Sequence, residues 1–156
     1  MESGEVMRIA AVMVLAAATA MPAAAQTAPV DALFEQFGLF GIWAADCQQP
    51  ASPANPHVSI TTPSPGLVSE SHDLGPNYTI NHYSMVSAER LSAEQLAVTV
   101  IFQPGTETEE RQNLVFRVRE GTRRTLFNQP DGGAVRVKDG IALAHGSKTL
   151  VLNKCE

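Results

Sequence analysis

Two stretches in the second half of the chain alternate apolar and polar residues with a period of two, and this constrains the fold more than any other feature. Leu96, Val98, Val100 and Phe102 alternate with Ala97, Thr99, Ile101 and Gln103, and Pro104-Gly105 follows; Leu114, Phe116 and Val118 alternate with Val115, Arg117 and Arg119, and Glu120-Gly121 follows. Successive side chains on a strand point to opposite faces, so this pattern turns one face to a core and the other to water. The same rhythm runs through Tyr78, Ile80 and His82, through Val135 and Val137, and through Leu150 and Leu152. Asp139-Gly140 between Lys138 and Ile141 is a two-residue hairpin signal, because both central positions want positive φ. Pro130-Asp131-Gly132-Gly133 reads as another turn.

Before this β-rich region, Val30, Leu33, Phe34 and Phe37 recur at spacings of three and four between Pro29 and Phe37, with Gly38 just past the end. That is one short amphipathic helix. Ser87 to Leu96 is open between a helical turn capped by Ser92 and a hairpin bend, and the strands on either side favour the bend. Residues 48–66 carry prolines 50, 53, 56, 63 and 65 and read as a long stiff loop across one barrel end, broken by a strand at Val58 to Thr61. The expected fold is all-β: a small antiparallel up-and-down meander, curled into a barrel or a highly bent sandwich, behind a short N-terminal helix and held by one disulfide.

The N-terminus reads as a signal peptide over residues 1–25. Arg8 precedes an apolar run from Ile9 to Met21, and Ala23-Ala24-Ala25 supplies the small residues before a cut at Gln26. The run is too short to span a bilayer, and no cysteine sits at the cut to carry a lipid. Glu2 and Glu5 sit oddly in a positively charged leader and point to Met7 as a start. The division that follows is a leader over 1–25, an N-terminal segment with the helix over 26–40, and the barrel over 41–156. About 130 mature residues suffice for one domain with one core. The expected location is periplasmic or secreted, with no transmembrane anchor in the mature chain.

Cys47 and Cys155 lie near the two ends of the mature chain, and an exported protein meets an oxidising compartment. They are read as one disulfide. A catalytic thiolate at Cys47 is the competing reading, and nothing around it marks an activated nucleophile. The bridge also carries geometry: with Cys47 after the first strand and Cys155 ending the last, those two strands must be near neighbours, as barrel closure requires.

The helix leading into Gly41-Ile42-Trp43, followed by an antiparallel meander, resembles the calycin superfamily: lipocalins, avidins and the small lipocalin-like barrels of bacterial envelopes. The resemblance implies a barrel over residues 30–156 and a structural place for Trp43 across the barrel floor; it implies no ligand. The first-to-last cysteine arrangement is also similar to that of small secreted inhibitors of lysozymes and proteases.

Chemistry-bearing patterns are sparse. The histidines 57, 72, 82 and 145 show no metal-ligand spacing, and no metal or cofactor is expected. Ser71-His72-Asp73 sets three catalytic residue types side by side, but neighbours on a strand face opposite ways and do not converge. Charge, by contrast, is segregated: residues 26–109 hold one basic residue against nine acidic, whereas 110–156 hold nine basic against five acidic. In a meander Arg117, Arg119, Arg123, Arg124, Arg136 and Lys138 fall on neighbouring strands and form a basic wall for an anionic partner, unless acidic neighbours neutralise it. Interleaved aromatics are lacking, so nucleic acid is not an expected partner.

The function expected from these residues is a noncatalytic periplasmic or secreted binding module. Its partner is a small apolar ligand in the barrel or an envelope protein on the wall. The alternative is an inhibitor of a hydrolase of lysozyme or protease type, working through the loop from Pro50 to Pro65. No paired acid and base marks an enzyme.

Overall fold

The computed structural model describes residues 28–155, so the leader expected over 1–25 lies outside the described residues. Helix α1 spans Val30–Gln36 and ends where Gly38 takes φ 64°, letting Leu39 N–H reach back to the Phe34 carbonyl at 2.9 Å. Eleven strands follow: β1 (Gly41–Ala44), β2 (His57–Ser64), β3 (Leu67–Asp73), β4 (Asn81–Arg90), β5 (Gln95–Phe102), β6 (Glu110–Arg119), β7 (Thr122–Pro130), β8 (Val137–Lys138), β9 (Ile141–Ala142), β10 (Ser147–Lys148) and β11 (Val151–Cys155).

Strands β1 to β7 pair antiparallel in chain order, and β11 closes the ring between β7 and β1. Of the two forms that the alternation allows, the result is the closed eight-strand antiparallel barrel. Ile42 stands opposite Cys155, and the Cys47–Cys155 disulfide, with Cα atoms 5.6 Å apart, ties the two ends of the meander together. The β6–β7 turn carries Glu120 at φ 50° and Gly121 at φ 71°, the paired positive values that a two-residue hairpin with right-handed strand twist demands.

The three shortest strands do not belong to the ring. Only the first half of β7 pairs with β11, through Thr122 to Arg124; farther along, Asn128 pairs with Val137 of β8. Strands β8, β9 and β10 thus form a small flap on the same edge of β7, folded at Asp139-Gly140 as expected.

Two expectations are corrected. The proline-rich region is a loop only as far as Pro56, because β2 runs on to Ser64 and tolerates Pro63 at a register shift between Thr61 and Ser64. The strand expected through Tyr78 and Ile80 begins only at Asn81, leaving both side chains exposed on the preceding loop. The stretch from Ser87 to Leu96 resolves as a hairpin, with β4 and β5 joined through residues 91–94.

Helix α1 lies across one barrel end. Asp31 accepts from Gly66 N–H at the β2–β3 turn, Gln36 from Arg90 at the end of β4, and the Gly38 carbonyl from Lys154 of β11. Beneath it Phe34, Leu39, Trp43, Ile60, Val68 and Leu96 are buried in one continuous apolar core. Trp43 is 1% exposed, and its indole N–H donates to the Leu39 carbonyl at 2.8 Å, which satisfies the one polar atom of the largest core side chain.

Candidate functional site

The other half of the barrel is lined by polar groups, and the strand register explains how they come inside. On β3, Val68 is buried, so Glu70 and His72 follow it inward two and four residues later. On β7, Arg123 stands opposite Val118 and shares its inward face; Thr125 follows. An extra residue in β7, Leu126, bulges opposite the step from Val115 to Phe116 of β6 and restores Asn128 to the interior, opposite Leu114. Tyr83 and Met85 enter from β4, Val100 from β5, and Gln112, Leu114 and Phe116 from β6.

Arg123 Nη2 donates to Glu70 Oε1 at 2.8 Å, with both side chains 4% exposed. The same carboxylate oxygen meets His72 Nε2 at 2.5 Å. Burial pushes the Glu70 pKa upward, but the Arg123 charge and the His72 hydrogen bond outweigh it and bring the carboxyl down to about 2. The Arg123 guanidinium also stacks over Phe116 at 4.1 Å, an arrangement suited to a planar, weakly hydrated cation. Tyr83 packs between His72 and Phe102, with ring centroids at 4.8 and 5.1 Å. Burial, reinforced by the Glu70 charge, pushes its hydroxyl up to about 12, so Tyr83 stays a neutral hydrogen-bonding group.

These residues line a half-open cavity of about 190 Å³ whose apolar walls are Met85, Val100, Leu114, Phe116 and Val137. A second hollow of about 200 Å³, sharing His72, Arg123, Thr125 and Thr149, lies toward Leu150 and Leu152 of the β7–β11 seam. Three buried polar atoms have no hydrogen-bond partner among the described residues: Glu70 Oε2, Arg123 Nη1 and Asn128 Oδ1. All three belong to residues lining the cavity.

The six cations expected to form one basic wall are divided. Arg123 is the clear correction: it lies opposite Val118, and because Val118 faces inward so does Arg123. Arg124 faces outward and holds the flap, donating to the Gly140 carbonyl at 2.6 Å and to Thr149 Oγ1 at 3.0 Å. Arg136 makes a two-pronged pair with Glu110 at 2.7 and 2.8 Å, and Arg119 lies 3.5 Å from Glu94. Arg117 and Lys138 are exposed and have no ion pair among the described residues. Of the five outward cations, Arg119 and Arg136 are met by acidic neighbours, whereas Arg117, Arg124 and Lys138 are not.

Ser71 faces away from His72, so the Ser71-His72-Asp73 run does not converge. Among the described residues no group of three or more His, Cys, Asp or Glu is placed to hold a metal ion. Likewise no helix among them is long and apolar enough to cross a membrane. Comparison with protein-family models, curated proteins and solved structures finds no match.

Proposed function

We propose that this protein is a noncatalytic binding module that holds a small molecule in the polar half of its barrel. The observation that carries the reading is the cavity of about 190 Å³ that the buried ion pair of Glu70 and Arg123 lines together with His72 and Tyr83. Polar groups held in place by a buried pair can orient a ligand without first being ordered, which favours affinity. Apolar side chains line most of the remaining wall, as in small-molecule sites generally. The Cys47–Cys155 bridge fits a protein that folds in an oxidising compartment, and with the leader expected over residues 1–25 the reading places it in the periplasm or outside the cell.

The test is a fragment screen by backbone-amide NMR on the disulfide-bonded mature chain, repeated on Val100→Phe, which fills the cavity from β5. Ligands of this site shift the amides around Glu70, His72 and Arg123 in the wild type and lose that effect in the variant. Persistence of the same shifts in a folded Val100→Phe protein, or a screen without any hit on these amides, would overturn the reading.

A further inference from the structure

We infer that the second hollow, at the β7–β11 seam, is a site for a small organic anion of the short-chain carboxylate class. The inference goes beyond the binding reading above, because it concerns a different compartment with a different charge.

The ladder between β7 and β11 ends where Val151 stands opposite Arg124, and Thr149 and Leu150 lead into it from the flap. The hollow of about 200 Å³ lies at this end. Its charged lining is Arg123 and Arg124 beside His72, without a carboxylate; Glu70 lines the first cavity but not this one. Arg123 is neutralised by Glu70, which accepts from its Nη2. Arg124 donates only to uncharged partners, the Gly140 carbonyl and Thr149 Oγ1, and has no ion pair among the described residues. One positive charge is therefore left over at the wall of a half-open hollow, where the low-dielectric surroundings focus its field on an incoming anion.

A second charge is available from His72, whose side chain is 25% exposed and lines both hollows. Its Nε2 meets Glu70, an ionised acceptor, so that nitrogen carries the proton of the neutral ring and Nδ1 takes up the next one. The titratable and charged groups around it are Glu70 and the exposed Asp73 on its own strand, His57 on β2, Tyr83 on β4, and Arg123 and Arg124 on β7. Histidine is the side chain whose charge changes near neutral pH, so acidification adds to the positive charge of the hollow.

Pro56, Val58, Leu150 and Leu152 make up the apolar part of the lining, so the anion carries a hydrocarbon tail. A cavity of about 150 Å³ holds benzene, so about 200 Å³ holds on the order of eight non-hydrogen atoms. The planar fork of a guanidinium matches a carboxylate. A short aliphatic carboxylate meets the charge, the shape and the size together.

Pentanoate, pentanamide and pentylammonium share one chain and differ in charge. Each is titrated at low salt into the disulfide-bonded mature protein, by calorimetry and amide NMR. Pentanoate is expected to bind at least tenfold tighter than either of the others and to shift the amides of Thr125, Leu150 and Leu152. It is expected to bind equally well to Val100→Phe, because Val100 lines only the first cavity. Its affinity should rise severalfold from pH 8 to pH 6, where the ligand stays ionised, and stay flat in His72→Gln. Arg124→Gln should lower it about tenfold, whereas Arg124→Lys, which keeps the charge, retains most of it. Equal or tighter binding of pentanamide or pentylammonium, or no binding of pentanoate, overturns the inference. So does pentanoate binding that Val100→Phe abolishes, since the anion then sits in the first cavity. Fragment hits that persist around Glu70 while pentanoate fails would separate the failure of this site from that of the binding reading. The three-ligand comparison stands on the wild type alone, so it decides the matter even if a variant does not fold.

Discussion

Glu70 and Arg123 reach each other at 2.8 Å from opposite walls of the barrel: β3 and β7 are separated by three strands in either direction around the ring. The pair is therefore a brace across the interior and not a contact between neighbouring strands. Removing one member of a buried pair leaves the other charge stranded, which costs about 3–5 kcal/mol, whereas replacing both by apolar residues of similar volume is close to neutral. Arg123→Met is expected to lower stability by that amount in urea unfolding at pH 7. The double variant Glu70→Leu, Arg123→Met is expected to recover most of it. A single variant within about 1 kcal/mol of wild type would mean that the brace carries little of the fold.

The same pair sets an acid dependence. The Glu70 carboxyl moves from its ordinary value of 4.5 down to about 2 in the folded protein, with burial opposed by Arg123 and His72. A folded value below the unfolded one means that the contribution is fully present above pH 4.5 and is lost as pH falls toward 2. The shift corresponds to about 3 kcal/mol. Urea midpoints measured from pH 6 to pH 2 should fall more steeply for the wild type than for Glu70→Gln, which has no charge to lose. Parallel curves would remove Glu70 as the source.

Most of the architecture was legible because it follows from local rules. Alternation at Leu96 to Phe102 and Leu114 to Val118 fixes the strands, and Glu120-Gly121 and Asp139-Gly140 fix their hairpins. The inward place of Arg123 was implicit in the same signals, since a two-residue turn at 120 and 121 sets 118 opposite 123, and Val118 is an inward position. Read as one of six cations, Arg123 looked like surface charge; read by register, it is a buried one. Glu70 was similarly available two residues after Val68. What the sequence did not carry is the partnership of the two, because strands four places apart in the ring meet only once the barrel closes. Asn128 was hidden further by the β6–β7 bulge, which moves it to the inner face against simple alternation from Arg123.

The flap is held by a backbone position. A Cβ on Gly140 would lie 2.7 Å from Arg124 Nη2, and the residue sits at φ 72°, so Gly140→Ala is strained and displaces the guanidinium that bonds the Gly140 carbonyl. The expected outcome is faster amide exchange across residues 137–149, with exchange in β4 and β5 unchanged. Arg124→Met should have the same local effect without the backbone strain. Protection lost uniformly over the whole barrel in both variants would show that the flap and the ring unfold as one unit.

The disulfide acts on the unfolded chain as well as on the barrel. Cys47 and Cys155 are separated by 108 residues, and closing a loop of that length stabilises by about 4–5 kcal/mol in the chain-entropy model. Its position adds a specific effect, because Cys155 ends the strand that closes the ring and stands opposite Ile42 of β1. Purified mature protein should show no free thiol when denatured without reductant. Cys47→Ser, Cys155→Ser should unfold at lower urea concentration and lose amide protection first along β1 and β11. If the double serine variant matches the wild type in urea midpoint, chain entropy is not limiting, and the pairing of β1 with β11 alone holds the barrel closed.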